Sequence, residues 1–192
     1  MKGLGIFIGV ILVVGLAFFG WYVQGVNYVV TLDENAKSSW AQVENQLQRR
    51  NDLIPNLVNT VKGFAKQEMT VFTEVTRLRS QWGQAATIEE KVDAANAMTT
   101  ALSRLLLVAE NYPQLKSDQN FLSLQSQLEG TENRIAVERM RYNQAVQTFN
   151  TYIRTFFGRY FAQKRGLTQP AVYFQATEAA KTQVPQVNFN NP

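Results

Sequence analysis

The stretch GLGIFIGVILVVGLAFFGWYV, from Gly3 to Val23, carries no charged residue, and the next charge after it is Asp33. About 20 apolar residues in a helix suffice to cross a ~30 Å hydrocarbon core. In that medium an open chain has no other way to pair its backbone groups. The run therefore predicts a membrane-spanning helix. Trp21 and Tyr22 close it, as interfacial anchors whose amphipathic rings favour the headgroup zone. A cleaved signal peptide has a shorter apolar core and a small-residue cleavage site, whereas Val23-Gln24-Gly25 is a poor site. An interfacial helix needs a charged face, which this run lacks. Gly5 and Gly9 form a GxxxG step, read either as a packing face for a second membrane helix or as the ordinary glycine content of such helices. Lys2 and the amino terminus flank one end, and Lys37 stands beyond the other beside Asp33 and Glu34. On the positive-inside rule the short tail is then cytoplasmic and the rest lies outside, on the strength of one or two charges.

Cysteine and histidine are both absent from the 192 residues. Disulfides, thiol nucleophiles and thiolate metal sites are excluded, and so are a Ser-His-Asp triad and an HExxH zinc site. A di-iron bundle of the carboxylate–histidine type falls with them. An enzyme built on Asp, Glu, Lys or Tyr alone has little to recommend it, and the sequence offers no catalytic residue, cofactor motif or metal set. Glu129 and Glu132 lie three apart on one helix face, but with Arg134 close by they read as a solvated face. The formal charge of +4 is unevenly spread. From Arg139 to Thr177 the basic residues Arg139, Arg141, Arg154, Arg159, Lys164 and Arg165 meet no acidic one. Such a stretch favours lipid headgroups first and nucleic acid second. Nucleic acid would require the segment on the cytoplasmic side, against the orientation above, so it is not expected as a partner.

Beyond the apolar run the periodicity is that of long helices. Ala36, Trp40, Val43, Leu47, then Ile54, Val58, Val61, Ala65, then Phe72, Val75 and Trp82 recur in alternating steps of three and four, with Leu78 or Arg79 between the last two and with charged Arg50 and Glu68 as the breaks. This predicts one long helix over 36–82. Pro55 should kink it, or a tight hairpin forms at Asn51-Asp52 instead. Asn56 and Asn59 are candidates to bond the carbonyls that a proline frees. Thr87 and Glu90 fit a capping box opening a second helix, which should end near Asn111-Tyr112-Pro113. Asp118 can cap a third, whose seam runs from Phe121 through Leu128, Thr131, Ile135, Glu138, Tyr142 and Phe149 to Tyr152 and Phe156, with Gly158 ending it. Gly130, in mid-helix, suggests close approach by another backbone. Arg49 and Arg50 are placed to pair with Glu129, Glu132 or Glu138, as a polar layer inside the bundle or as a binding site. The predicted fold is all-α: an N-terminal transmembrane helix over 1–26, then an antiparallel up-and-down bundle of long coiled-coil-like helices over 27–167, then an extended or disordered tail over 168–192.

Two stretches carry a family resemblance. The segment LDENAKSSWAQVENQLQRRNDLIPNLVNTVKGFAKQE, from Leu32 to Glu68, and the segment YPQLKSDQNFLSLQSQLEGTENRIAVERMRYNQAVQTFNTYIRTF, from Tyr112 to Phe156, resemble the two signatures of the LemA family of bacterial membrane proteins. Tyr173-Phe174 is similar to an aromatic pair near that family's C-terminus. The resemblance covers nearly the whole chain. One departure is Phe157-Gly158, where the family usually has a proline, and it leaves the path of 158–170 open. The resemblance implies a helical antiparallel bundle on a single-pass anchor in the bacterial inner membrane. It implies no established activity, cofactor or catalytic residue.

Two functions follow as expectations. The first is a non-catalytic scaffold or partner-binding module that self-assembles. Helices over 36–82, 88–111 and 118–157 would be roughly 70, 36 and 60 Å long. The short middle helix would then leave apolar seam uncovered, favouring homo-oligomers larger than a dimer or contacts with other membrane proteins. The second is a lipid-surface sensor or remodeller using the basic aromatic segment 139–177. Arg154, Arg159, Lys164 and Arg165 are the candidate contacts with lipid or with a neighbouring subunit.

Overall fold

The computed structural model describes residues 2–65 and 67–175, and for Lys2 and Gly5 the backbone alone. The described residues form six helices and no strand: α1 (Lys2–Phe64), α2 (Met69–Gln84), α3 (Ile88–Glu110), α4 (Pro113–Lys116), α5 (Gln119–Tyr152) and α6 (Phe156–Arg165). The chain divides into two compact units, Met1–Ala41 with Met140–Tyr173, and Gln42–Arg139 with Phe174–Pro192. Helices α1 and α5 contribute to both.

The second unit is a helical bundle whose core gathers Leu57 and Val61 of α1, Phe72 and Val75 of α2, Met98 and Leu105 of α3, and Phe121 and Leu128 of α5. Its cross-helix contacts set the directions. Lys62 lies over the Phe72 ring while Arg79 reaches Asn51, so α2 runs back along α1. Lys91 lies over Trp82 while Arg104 pairs with Glu74, so α3 runs back along α2. The turns are capped as the sequence leads one to expect. Thr87 and Glu90 form the reciprocal capping box of α3. Asp118 accepts from the Phe121 N–H at 2.9 Å where α5 begins.

The long helix expected over 36–82 is not formed. Its seam residues are buried, but α1 ends at Phe64 and the chain reverses by Met69. Folding back lets Phe72, Val75 and Trp82 bury against the chain's own core, which removes the uncovered seam expected on a three-helix count. Pro55 neither breaks α1 nor turns it, because the lost hydrogen bond is replaced from outside the helix. Proline has no N–H for the carbonyl of Asn51, four residues back. That carbonyl accepts instead from Arg79 Nε at 3.2 Å. Asn56 and Asn59 face solvent and do not serve it. Gly130 also departs from expectation, since a side chain there would meet nothing within 4 Å.

In the first unit α1 and α5 run antiparallel, with Tyr28 against Tyr152 and Trp40 against Tyr142 at centroid distances of 4.9 and 5.2 Å. Helix α5 stops at Tyr152 rather than Phe157. Thr155 then opens α6, its hydroxyl accepting from the Gly158 N–H at 3.1 Å. Gly158 is thus a requirement of a new helix and not a breaker: a Cβ there would collide with the Tyr152 carbonyl and the Thr155 hydroxyl. Helix α6 ends at Gly166, whose φ of 70° suits glycine alone without strain. The stretch 168–175 has no regular secondary structure and is tied down. Asn150 donates to the Ala171 carbonyl at 2.9 Å and accepts from its N–H at 2.8 Å, and the Tyr142 hydroxyl donates to the Val172 carbonyl at 2.6 Å. The expectation for the tail beyond Gln175 lies outside the described residues, as do the surroundings of Gly5.

Candidate membrane-interface site

The apolar opening of α1 is exposed on every side, from Leu4 at 67 % to Phe19 at 65 %. Its most apolar stretch has a mean hydropathy of 2.5, and none of it is buried. A core helix of a soluble protein would hide most of that surface; this one is suited to lipid. Gly9 has nothing within 4 Å, which leaves its face of the helix open.

Where this stretch ends, aromatic side chains converge. Trp21 meets Phe157 and Phe161 edge-on, each at 5.2 Å between centroids. Tyr22 stands beside Tyr160 and Phe161 at 6.3 and 6.0 Å. Such edge-to-face contacts add to the burial of apolar area. The local cause is Gly25: a Cβ there would run into the Phe161 ring, so glycine is what lets α6 lie against α1. The remaining face of α6 is outward, with Phe156 86 % and Phe157 55 % exposed. Arg154, Arg159, Lys164 and Arg165 are all exposed around it. Lys164 lies over the Tyr160 ring at 5.5 Å. Among the described residues none of these four cations forms an ion pair. A groove of about 760 Å³ opens between Phe18, Trp21 and Tyr22 of α1 and Arg154, Phe157 and Arg159 at the start of α6. The structure thus brings the two expected interfacial anchors together with the basic segment, which the sequence places more than a hundred residues away.

The polar layer expected around Arg50 forms inside the second unit. Arg50 is 1 % exposed. Its guanidinium donates to Thr99 Oγ1, Glu132 Oε1 and the Ala95 carbonyl, each at 3.0 Å. Burial pulls its pKa down, and the Glu132 carboxylate works in the opposite direction. Among the described residues Arg50 Nε and Asn51 Oδ1 find no hydrogen-bond partner, so the layer is incompletely satisfied there. Of the expected acidic partners, Glu132 pairs with Arg50, and Glu129 accepts from Gln125 on its own helix. Nearby, Arg139 lies over the Phe174 ring at 4.0 Å, and burial lowers its pKa as well. No grouping of acidic side chains among the described residues is placed to hold a metal ion.

Fold and site together define a class: a helical bundle built on an N-terminal helix suited to a bilayer. Within that class the chain belongs to the LemA family, whose pattern it matches over residues 39–189. That match begins beyond the apolar stretch. The chain is 27 % identical over 195 residues to magnetosome protein MamQ 1 of Paramagnetospirillum magneticum, covering 88 % of this chain and 71 % of that protein. It is 25 % identical over 200 residues to magnetosome protein MamQ of Magnetospirillum gryphiswaldense, covering 90 % and 73 %. It is also 23 % identical over 182 residues to protein LemA of Metamycoplasma hominis, covering 94 % and 82 %.

Proposed function

We propose that the protein is a non-catalytic, single-pass membrane module of the bacterial inner membrane, which holds its helices at the lipid surface and acts by binding partners, copies of itself included. The observation that carries this reading is the direct passage of an exposed apolar helix into an aromatic and basic collar. That order of apolar, aromatic and cationic groups matches the layering of a bilayer face. Residues 1–26 serve as anchor, 27–167 as the working bundle and 168–192 as a tail. The lack of histidine and cysteine supports a role without chemistry, and the relatives' names carry no reaction. Self-assembly rests on the open face at Gly9 and on exposed apolar side chains such as Leu107 and Met140, and no longer on an uncovered seam. Light scattering of the full chain in mild detergent tests it: particles larger than a dimer are expected at micromolar concentration. A strictly monomeric particle would remove self-assembly from the proposal.

A second reading, a lipid-surface sensor, is favoured by one observation: Phe156 and Phe157 stand exposed beside Arg154 and Arg159. Aromatic and cationic side chains so mixed are suited to the headgroup layer.

A further inference from the structure

We infer that the groove between α1 and the start of α6 is a binding site for one anionic phospholipid of the surrounding bilayer. The inference rests on the membrane reading above and names a ligand for that same collar. Phe18, Trp21, Tyr22, Phe157 and Tyr160 give it a largely apolar lining, to which Arg154 and Arg159 add two exposed guanidinium groups. A volume of about 760 Å³ is enough for a lipid chain and its glycerol phosphate. This lining continues the exposed apolar surface of α1, so a lipid chain enters it without leaving hydrocarbon.

The charge selects the headgroup. No carboxylate lines the groove, and neither arginine has an anionic partner among the described residues. A guanidinium presents a planar fork of N–H donors that matches phosphate oxygens. A zwitterionic headgroup brings its own cation and answers two arginines less well. A second copy of the chain is a poor occupant, because its collar carries the same uncompensated arginines. Two nearby arginines near an anionic surface should give about a tenfold preference for a lipid of net negative charge.

The test is native mass spectrometry of the full chain released from mild detergent after incubation with phosphatidylglycerol or with phosphatidylcholine of the same acyl chains. One phosphatidylglycerol per chain should be retained, about tenfold in preference to phosphatidylcholine. The exposed double variant Arg154→Gln/Arg159→Gln should lose that preference while still floating with vesicles. Gly25→Leu, which pushes Phe161 away, should lose the bound lipid of either kind. Equal retention of the two lipids, or an unchanged preference in the double variant, overturns the inference and leaves the anchor standing. Finding a second chain in place of lipid also overturns it. Failure of the wild-type chain to float with vesicles overturns the membrane reading and the inference together.

Discussion

Asn51 and Pro55 pose a problem that is solved one helix away. A proline inside a helix leaves the carbonyl four residues back without its donor, and Asn51 is only 4 % exposed, so water has little access to it. Arg79 Nε supplies the missing donor at 3.2 Å. Pro55 and Arg79 are therefore energetically one feature, although neither touches the other's hydrogen bond directly. Arg79→Met should destabilise the bundle by about 1 kcal/mol, the net worth of one such bond with a part-exposed donor. In a Pro55→Ala background the same change should cost little, since the restored N–H of residue 55 satisfies the carbonyl itself. Thermal unfolding of the four proteins, followed by helical circular dichroism, gives the coupling. An identical loss from Arg79→Met in both backgrounds would show that the Asn51 carbonyl is not what makes it matter.

At the scale of elements, the caps differ in chemistry and so in response to acid. Glu90 accepts from the backbone N–H groups of Ala86 and Thr87, at 2.8 and 3.1 Å. Those donors hold its carboxyl below the ordinary value of 4.5. A depressed carboxylate pKa stabilises the fold fully above the ordinary value, and the contribution is lost as pH falls through the lowered one. The first turn of α3 should thus fray on acidification below 4.5. The first turn of α6, capped by the Thr155 hydroxyl, should not. Amide hydrogen exchange of the two turns between neutral and acid pH makes the comparison, and equal fraying of both would exclude the Glu90 carboxylate as the cause. Thr87→Ala should loosen α3 at every pH, by about 1 kcal/mol. The same capping box was legible in the sequence because its signal is local. The reversal between Phe64 and Met69 was not. The apolar steps continue through it from Val61 to Phe72, and periodicity reports which face is buried without reporting whether the chain has reversed. Proline was the visible punctuation, and the tertiary bond to Arg79 overrode it.

For the molecule as a whole, the anchor and the basic segment were each legible, the first from uninterrupted apolarity and the second from charge. Their meeting was not, because it depends on α6. Gly158 looks like a stop in the sequence, and Gly25 looks like one more small residue near a membrane helix. Only the three-dimensional structure shows that one glycine opens α6 and the other makes room for its Phe161 ring. Orientation is a property of this scale as well. Lys2 on one side, against Lys37 offset by Asp33 on the other, leads us to propose, on the positive-inside rule, that the bundle lies outside the cytoplasm. Alkaline phosphatase fused to the C-terminus should then be active in cells, and green fluorescent protein fused there should stay dark. A bright fluorescent fusion would reverse the orientation and return nucleic acid to the possible partners.

The two bonds from Asn150 to Ala171 both end on the backbone. The two hydrogen bonds are thus indifferent to the side chain at position 171 so long as proline, which has no N–H to give, is avoided, but that side chain is itself packed against the core of the first unit. Position 150 has no such freedom, since aspartate lacks the donor and glutamine overreaches by a methylene. The clasp is therefore divided: its hydrogen-bonding side chain sits on α5, and the tail answers with backbone groups and with the packing of Ala171.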